Sequence, residues 1–299
     1  MDGELPLPPG LPPLTRPERL LWWQGAVAMV VAVLLLVIAN LAVAAAFLIQ
    51  QVGLAGLGGL VNDQERLTAA LASFPLLAVG QVANLTVFIV IAVMAPIAAR
   101  VPHRSALGLG GAPPSAFLLA ALGILGLGPL ADRVVTELKP LLPEQSSLEM
   151  IEQAIHGQPL WLLVPFLAVM PAVGEELLCR GVLQRSIRSP AVALTVSAVC
   201  FAALHMDPLH MAGVLPLGFY LAWLGHRTGS VWVPVGAHFT NNLAATLGIV
   251  FTTDAPADTA ELPLWAVPVG LLVTAACAAG LHWRLRQVAP TPRAPETLA

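Results

Sequence analysis

"WLLVPFLAVMPAVGEELLCR", residues 161–180, decides how this chain is read. Its first thirteen residues carry no charge, and Glu175, Glu176 and Arg180 then follow with no loop to separate them. Past a few polar residues the apolar pattern resumes in "AVALTVSAVCFAAL", residues 191–204. Charge is costly inside an apolar segment, so two carboxylates and a guanidinium there ask for a function.

The whole chain shares this character. Of its 299 residues 57% are hydrophobic and only 10% charged, against about 25% charged in an ordinary soluble domain. Several apolar stretches reach the roughly 20 residues that cross a bilayer core. The expectation is an all-α, polytopic transmembrane bundle in contact with membrane lipids. A net charge of −3 with no basic patch or RNA-binding motif argues against nucleic-acid partners. The three cysteines, Cys179, Cys200 and Cys277, lie in or beside apolar segments without a CxxC. They read as small core residues, not as a disulfide framework or a thiolate metal site.

About eight spans are expected, near 20–49, 74–99, 115–131, 161–186, 191–208, 209–226, 230–250 and 263–283. A disordered proline-rich tail (1–19) precedes them. Residues 20–159 form the N-terminal spans and loops, 160–250 a core, 251–288 the last span, and 289–299 a second disordered tail. With both termini cytoplasmic, Arg16, Arg19, Arg100, Arg104, Arg185, Arg188, Arg227, Arg284, Arg286 and Arg293 fall inside, against Arg66, Arg133 and Lys139 outside. That Lys/Arg bias is what sets orientation. All seven tryptophans fall near span ends, as an interfacial belt requires. "HMDPLH", residues 205–210, reads as a tight turn or a broken helix. "LGILGLG", residues 122–128, lacks a P-loop lysine and reads as small residues for close helix packing.

In the second half, the strongly polar side chains inside spans are Glu175, Glu176, Arg180, His205, His238, Asn241 and Asn242. Glu176 and Arg180 are i,i+4, as are His238 and Asn242, so each pair shares a helix face. At about 1.5 Å per residue, Glu175 lies roughly 18 Å from the cytoplasmic boundary and His205 roughly 22 Å. On the same scale His238 lies roughly 13 Å deep and Asn242 roughly 20 Å. Polar groups from separate helices thus meet at one level. Glu176 and Arg180 are expected to neutralise each other. Glu175, on another face, is free to meet the histidines as a general base for water, with His205 sharing that water. His238 and Asn242 have the donors to stabilise an oxyanion. The remaining histidines, His210 among them, read as interfacial.

"EELLCR" (175–180), "FAALH" (201–205) and "HFTNN" (238–242) resemble the EExxxR, FxxxH and HxxxN motifs of the CPBP family, the family of the CAAX prenyl endopeptidase and of bacterial bacteriocin-processing and immunity proteins. The resemblance covers roughly 160–250. It implies an α-helical intramembrane endopeptidase acting on a membrane-associated peptide or protein. It makes Glu175 the catalytic glutamate and His205 its partner, with His238 and Asn242 at the oxyanion and Glu176 and Arg180 in support. A metal-free, glutamate-activated water is the reading taken. The alternative is a divalent metal such as zinc on Glu175, His205 and His238, although HExxH is absent. A proton- or ion-coupled transporter is the rival from another class, because buried Glu and His also mark ion pathways. A non-catalytic membrane scaffold is the third reading. The Ala-, Pro- and Gly-rich composition suggests a bacterial chain, hence an inner-membrane location.

Overall fold

The computed structural model describes residues 18–142, 147–252 and 262–288, and among these every regular element is a helix. The expected tails lie outside the described residues, apart from Glu18 and Arg19. Six helices are long and apolar enough to cross a membrane. The first is α1 (Trp22–Val61), which bends at Gly53, where φ is 68°. Only a residue without Cβ takes that conformation cheaply. A short amphipathic helix α2 (Gln64–Leu71) leads to the second span, α3 (Phe74–Ala99). The short α4 (His103–Leu107) follows. Then α5 (Pro114–Leu125) and α6 (Gly128–Leu138) run almost continuously as the third span. The amphipathic α7 (Ser147–Ile155) precedes the fourth span, α8 (Leu160–Gln184).

Two of the next elements account for the difference between the eight expected spans and these six. Helix α9 (Pro190–Ala203) has 14 residues, about 21 Å at 1.5 Å per residue, and does not reach across a 30 Å core on its own. Helix α10 (Pro208–Thr228) is a full span. Helix α11 (Trp232–Thr252) has 21 residues, enough length, but falls outside the six apolar helices. His238, Asn241 and Asn242 interrupt its apolar run. Helix α12 (Ala266–Val288) closes the chain as the sixth span.

Helix α8 is the axis of the bundle. Half of its most apolar stretch is buried, against 17–28% for α1, α3, the α5–α6 pair and α12. It is not a regular α-helix. Val164–Val169 and Leu177–Gln184 form wider π turns on either side of an α-helical Met170–Glu176. In the first, Pro165 cannot donate a backbone bond and its ring crowds the preceding turn. The N–H of Met170 accordingly reaches five residues back, to the Pro165 carbonyl. Such turns are rare and concentrate at functional sites.

Small residues set the helix spacing, the main source of association where lipid tails offer no hydrophobic contrast. A Cβ on Gly174 of α8 would lie 2.5 Å from a ring carbon of Phe88 in α3. One on Gly126 would lie 2.4 Å from the Gly270 carbonyl oxygen in α12, so the 122–128 stretch does serve close packing. Asn40 of α1 donates to the Asn84 Oδ1 of α3 at 2.7 Å, a polar lock between two lipid-facing helices.

Candidate active site

The site begins with the buried carboxylate of α8. Glu176 has no exposed surface, and its Oε1 accepts two charge-assisted hydrogen bonds. One comes from Arg180 Nη1 at 3.0 Å, the other from His238 Nδ1 of α11, also at 3.0 Å. Arg180 is 2% exposed and extends the linkage, since its Nη2 donates to the Gly218 carbonyl of α10 at 2.9 Å. Gln184, one further turn along α8, donates to the Ala222 carbonyl at 2.8 Å. Two side chains four residues apart therefore fasten α8 to two carbonyls four residues apart on α10. A Cβ on Gly218 would stand 3.1 Å from the Ala198 carbonyl oxygen, which shows how closely α9 and α10 approach.

Phe201 of α9 is the hub of the aromatic part. Its ring meets His205 edge-on at 5.4 Å between centroids and His238 at 5.3 Å, and the Arg180 guanidinium lies 4.4 Å from its centroid. The Phe of the FxxxH pattern is thus a wedge that spaces two histidines and takes a cation on its face. His205 stands just beyond the end of α9, and its Nδ1 is 3.1 Å from the Phe201 carbonyl. That carbonyl belongs to the last turn of the helix, which has no backbone partner to offer it. An Nδ1–H on His205 satisfies it and leaves Nε2 with a lone pair. His238 has the same arrangement, with Nδ1 committed to Glu176 and Nε2 free.

The chain then reverses in a tight turn over 204–207. Met206 adopts a left-handed φ of 52°. Asp207 caps two helices at once: Oδ1 accepts the His210 N–H at 2.8 Å and Oδ2 accepts the Ser147 N–H at 2.5 Å. Of the two readings of "HMDPLH", a turn is what forms. His210, expected at an interface, instead packs against His205 with ring centroids 4.2 Å apart.

Several sequence-based assignments are redistributed. Glu176 and Arg180 pair as expected. His238, however, bonds Glu176 and not Glu175. Glu175 is half-buried. Its Oε2 is sealed from solvent without a partner among the described residues, while Oε1 is not sealed. Asn242 lies one turn beyond His238 on the same face of α11. Its Oδ1 accepts from Asn241 Nδ2 at 3.3 Å, which leaves the Asn242 Nδ2 donors uncommitted. Nothing in the sequence pointed to the Asn241 contact or to the two carbonyls of α10. Among the described residues no three His, Cys, Asp or Glu side chains converge as the ligands of one metal ion would. Glu175, His205 and His238 are thus not gathered as three ligands of one ion.

Comparison with known proteins points to one family. Residues 157–244 match the model described as type II CAAX prenyl endopeptidase Rce1-like. Over 102 residues the chain is 28% identical to "Putative membrane peptidase YdiL" of Bacillus subtilis (strain 168), a match that covers 33% of this chain and 41% of that protein. The chain thus aligns with less than half the length of this relative. No solved structure matches it. The matched segment holds all three polar motifs, from Glu175 to Asn242, so the core of this multi-pass membrane protein is similar to the CAAX-prenyl-endopeptidase-like family of membrane peptidases.

Proposed function

We propose that the protein is an intramembrane endopeptidase that hydrolyses a peptide bond of a membrane-associated substrate with a water activated by Glu175. The observation that carries this reading is the division of labour between adjacent glutamates. Glu176 is fully buried and doubly bonded, whereas Glu175 keeps one oxygen unsealed and has no partner among the described residues. A carboxylate whose Oε1 is held by Arg180 and His238 and whose Oε2 is sealed from solvent is poorly placed to take a proton from water. One with an open oxygen is well suited to it.

In this reaction Glu175 takes a proton as the water oxygen bonds to the scissile carbonyl carbon. The neutral Nε2 of His205 accepts the water's other hydrogen and aims its lone pair. The carbonyl oxygen becomes an oxyanion and is met by the Asn242 Nδ2 donors and by His238 Nε2–H. Since the His238 Nδ1–H is committed to Glu176, a proton on Nε2 makes an imidazolium, whose charge the Glu176 carboxylate offsets. Collapse breaks the C–N bond, and the proton held by Glu175 passes to the departing amine. Removing one oxyanion donor of this kind costs about 10²–10³ in kcat.

The test is cleavage of a set of membrane-inserted peptides by the purified protein in detergent. The parent is expected to cut at least one of them. Glu175→Gln is expected to cut none while it elutes and melts like the parent. Activity should withstand exhaustive treatment with a metal chelator. Loss on chelation with recovery on added zinc would replace this mechanism by a metal-dependent one. Solute uptake into vesicles that depends on Glu175, with no peptide cut, would favour the transporter.

A further inference from the structure

We infer that His210 is a further member of the site, a positioning residue that shares the hydrolytic water with His205 and holds it against that ring. This rests on the endopeptidase reading and concerns the same water. His210 lies outside the EExxxR, FxxxH and HxxxN patterns, in the first turn of α10.

Three observations place it there. Its ring contacts that of His205, with centroids 4.2 Å apart and planes inclined by 61°. Its backbone is held by Asp207, which accepts its N–H at 2.8 Å and at the same time anchors Ser147 of α7, so the ring projects from a turn clamped on both sides. Neither nitrogen of the ring has a hydrogen-bond partner among the described residues, and neither is sealed from solvent. That last fact separates two roles. If His210 only packed against His205, a phenyl or aliphatic group would fill the space without two polar atoms that need partners. The open nitrogens suit a partner that enters with the reaction. His205 uses Nδ1 on the Phe201 carbonyl and has only Nε2 for the water. A second imidazole in contact with it supplies the second hydrogen bond that fixes the water's direction of attack.

The experiment compares His210→Phe, which keeps a ring and removes both nitrogens, with His210→Gln, which restores a polar group. His210→Phe should lower kcat at least tenfold with KM within twofold of the parent and an unchanged melting temperature. His210→Gln should recover part of that loss. Nitrogen-15 spectra of histidine-labelled protein give a readout independent of cleavage. The His205 Nε2 resonance should move toward that of an unbonded ring nitrogen in His210→Phe and return in His210→Gln. A His210→Phe variant with the parent's kcat overturns the inference. If the parent cuts no peptide, the endopeptidase reading fails, and the His205 resonance decides alone. No movement, or movement that His210→Gln does not reverse, overturns the role of His210.

Discussion

At the scale of single residues, burial sets the consequences of substitution. Glu176 and Arg180 are 0% and 2% exposed and share one hydrogen bond. Removing one partner leaves the other charge buried alone, which costs about 3–5 kcal/mol. Glu176→Ala should therefore reduce the amount of folded protein, measured as the monodisperse fraction after extraction. It should also free His238 Nδ1, so any folded remainder should be slow. Glu175→Gln and His205→Ala should behave oppositely: normal yield and melting temperature, and turnover reduced by about 10²–10⁴ or more. Equal losses of folded protein from all three variants would sink this partition. The spacing of "GEELLCR" told the two glutamates apart by face, because four residues return a side chain to the same side of a helix. It did not reveal that one oxygen of Glu176 serves both Arg180 and His238, since that depends on how α11 is rotated against α8.

At the scale of elements, the site depends on how closely three helices approach α8. Gly174 immediately precedes the two adjacent glutamates, and a Cβ there would overlap the Phe88 ring at 2.5 Å. Gly174→Leu should push α8 away from α3 and displace Glu175. The expected result is a destabilised protein, by about 1–3 kcal/mol for overpacking, with activity lost more than in proportion to stability. Thermal melting beside cleavage checks it. Gly58, where a Cβ would meet nothing within 4 Å, serves as the tolerant control. Helix positions were largely legible from apolar run length, whereas the cap that Asp207 provides for α10 appeared only in the structure. The π turns of α8 were not legible. Pro165 announces a disturbed turn, but whether the chain kinks or widens depends on its neighbours. The early stop of α9 at Ala203 was hidden in the same way, because "FAALHMD" offers no glycine or proline at the break.

At the scale of the whole molecule, the chemistry must be matched to a side of the membrane. Arg104, Arg188 and Arg284 are expected on the cytoplasmic side and Glu137 and Glu149 on the other, by the Lys/Arg bias of the loops. Single cysteines introduced at 188 or 284 into a cysteine-free background should react with an impermeant thiol reagent only after the cells are opened. One at 137 should react in intact cells, and the reverse pattern would invert the proposed orientation. The amino-acid sequence by itself determined that this chain is a membrane-embedded helical bundle, because apolar length and scarce charge leave few other solutions. It also determined which polar residues must lie within that bundle, because spacing along a helix fixes the face each side chain takes. Only the tertiary structure decided which of those faces meet. The pairing of His238 with Glu176, the wedge of Phe201 between two histidines and the contact of His210 with His205 depend on helix rotation, crossing and the glycine-set approach of backbones, which arise between segments distant in the chain.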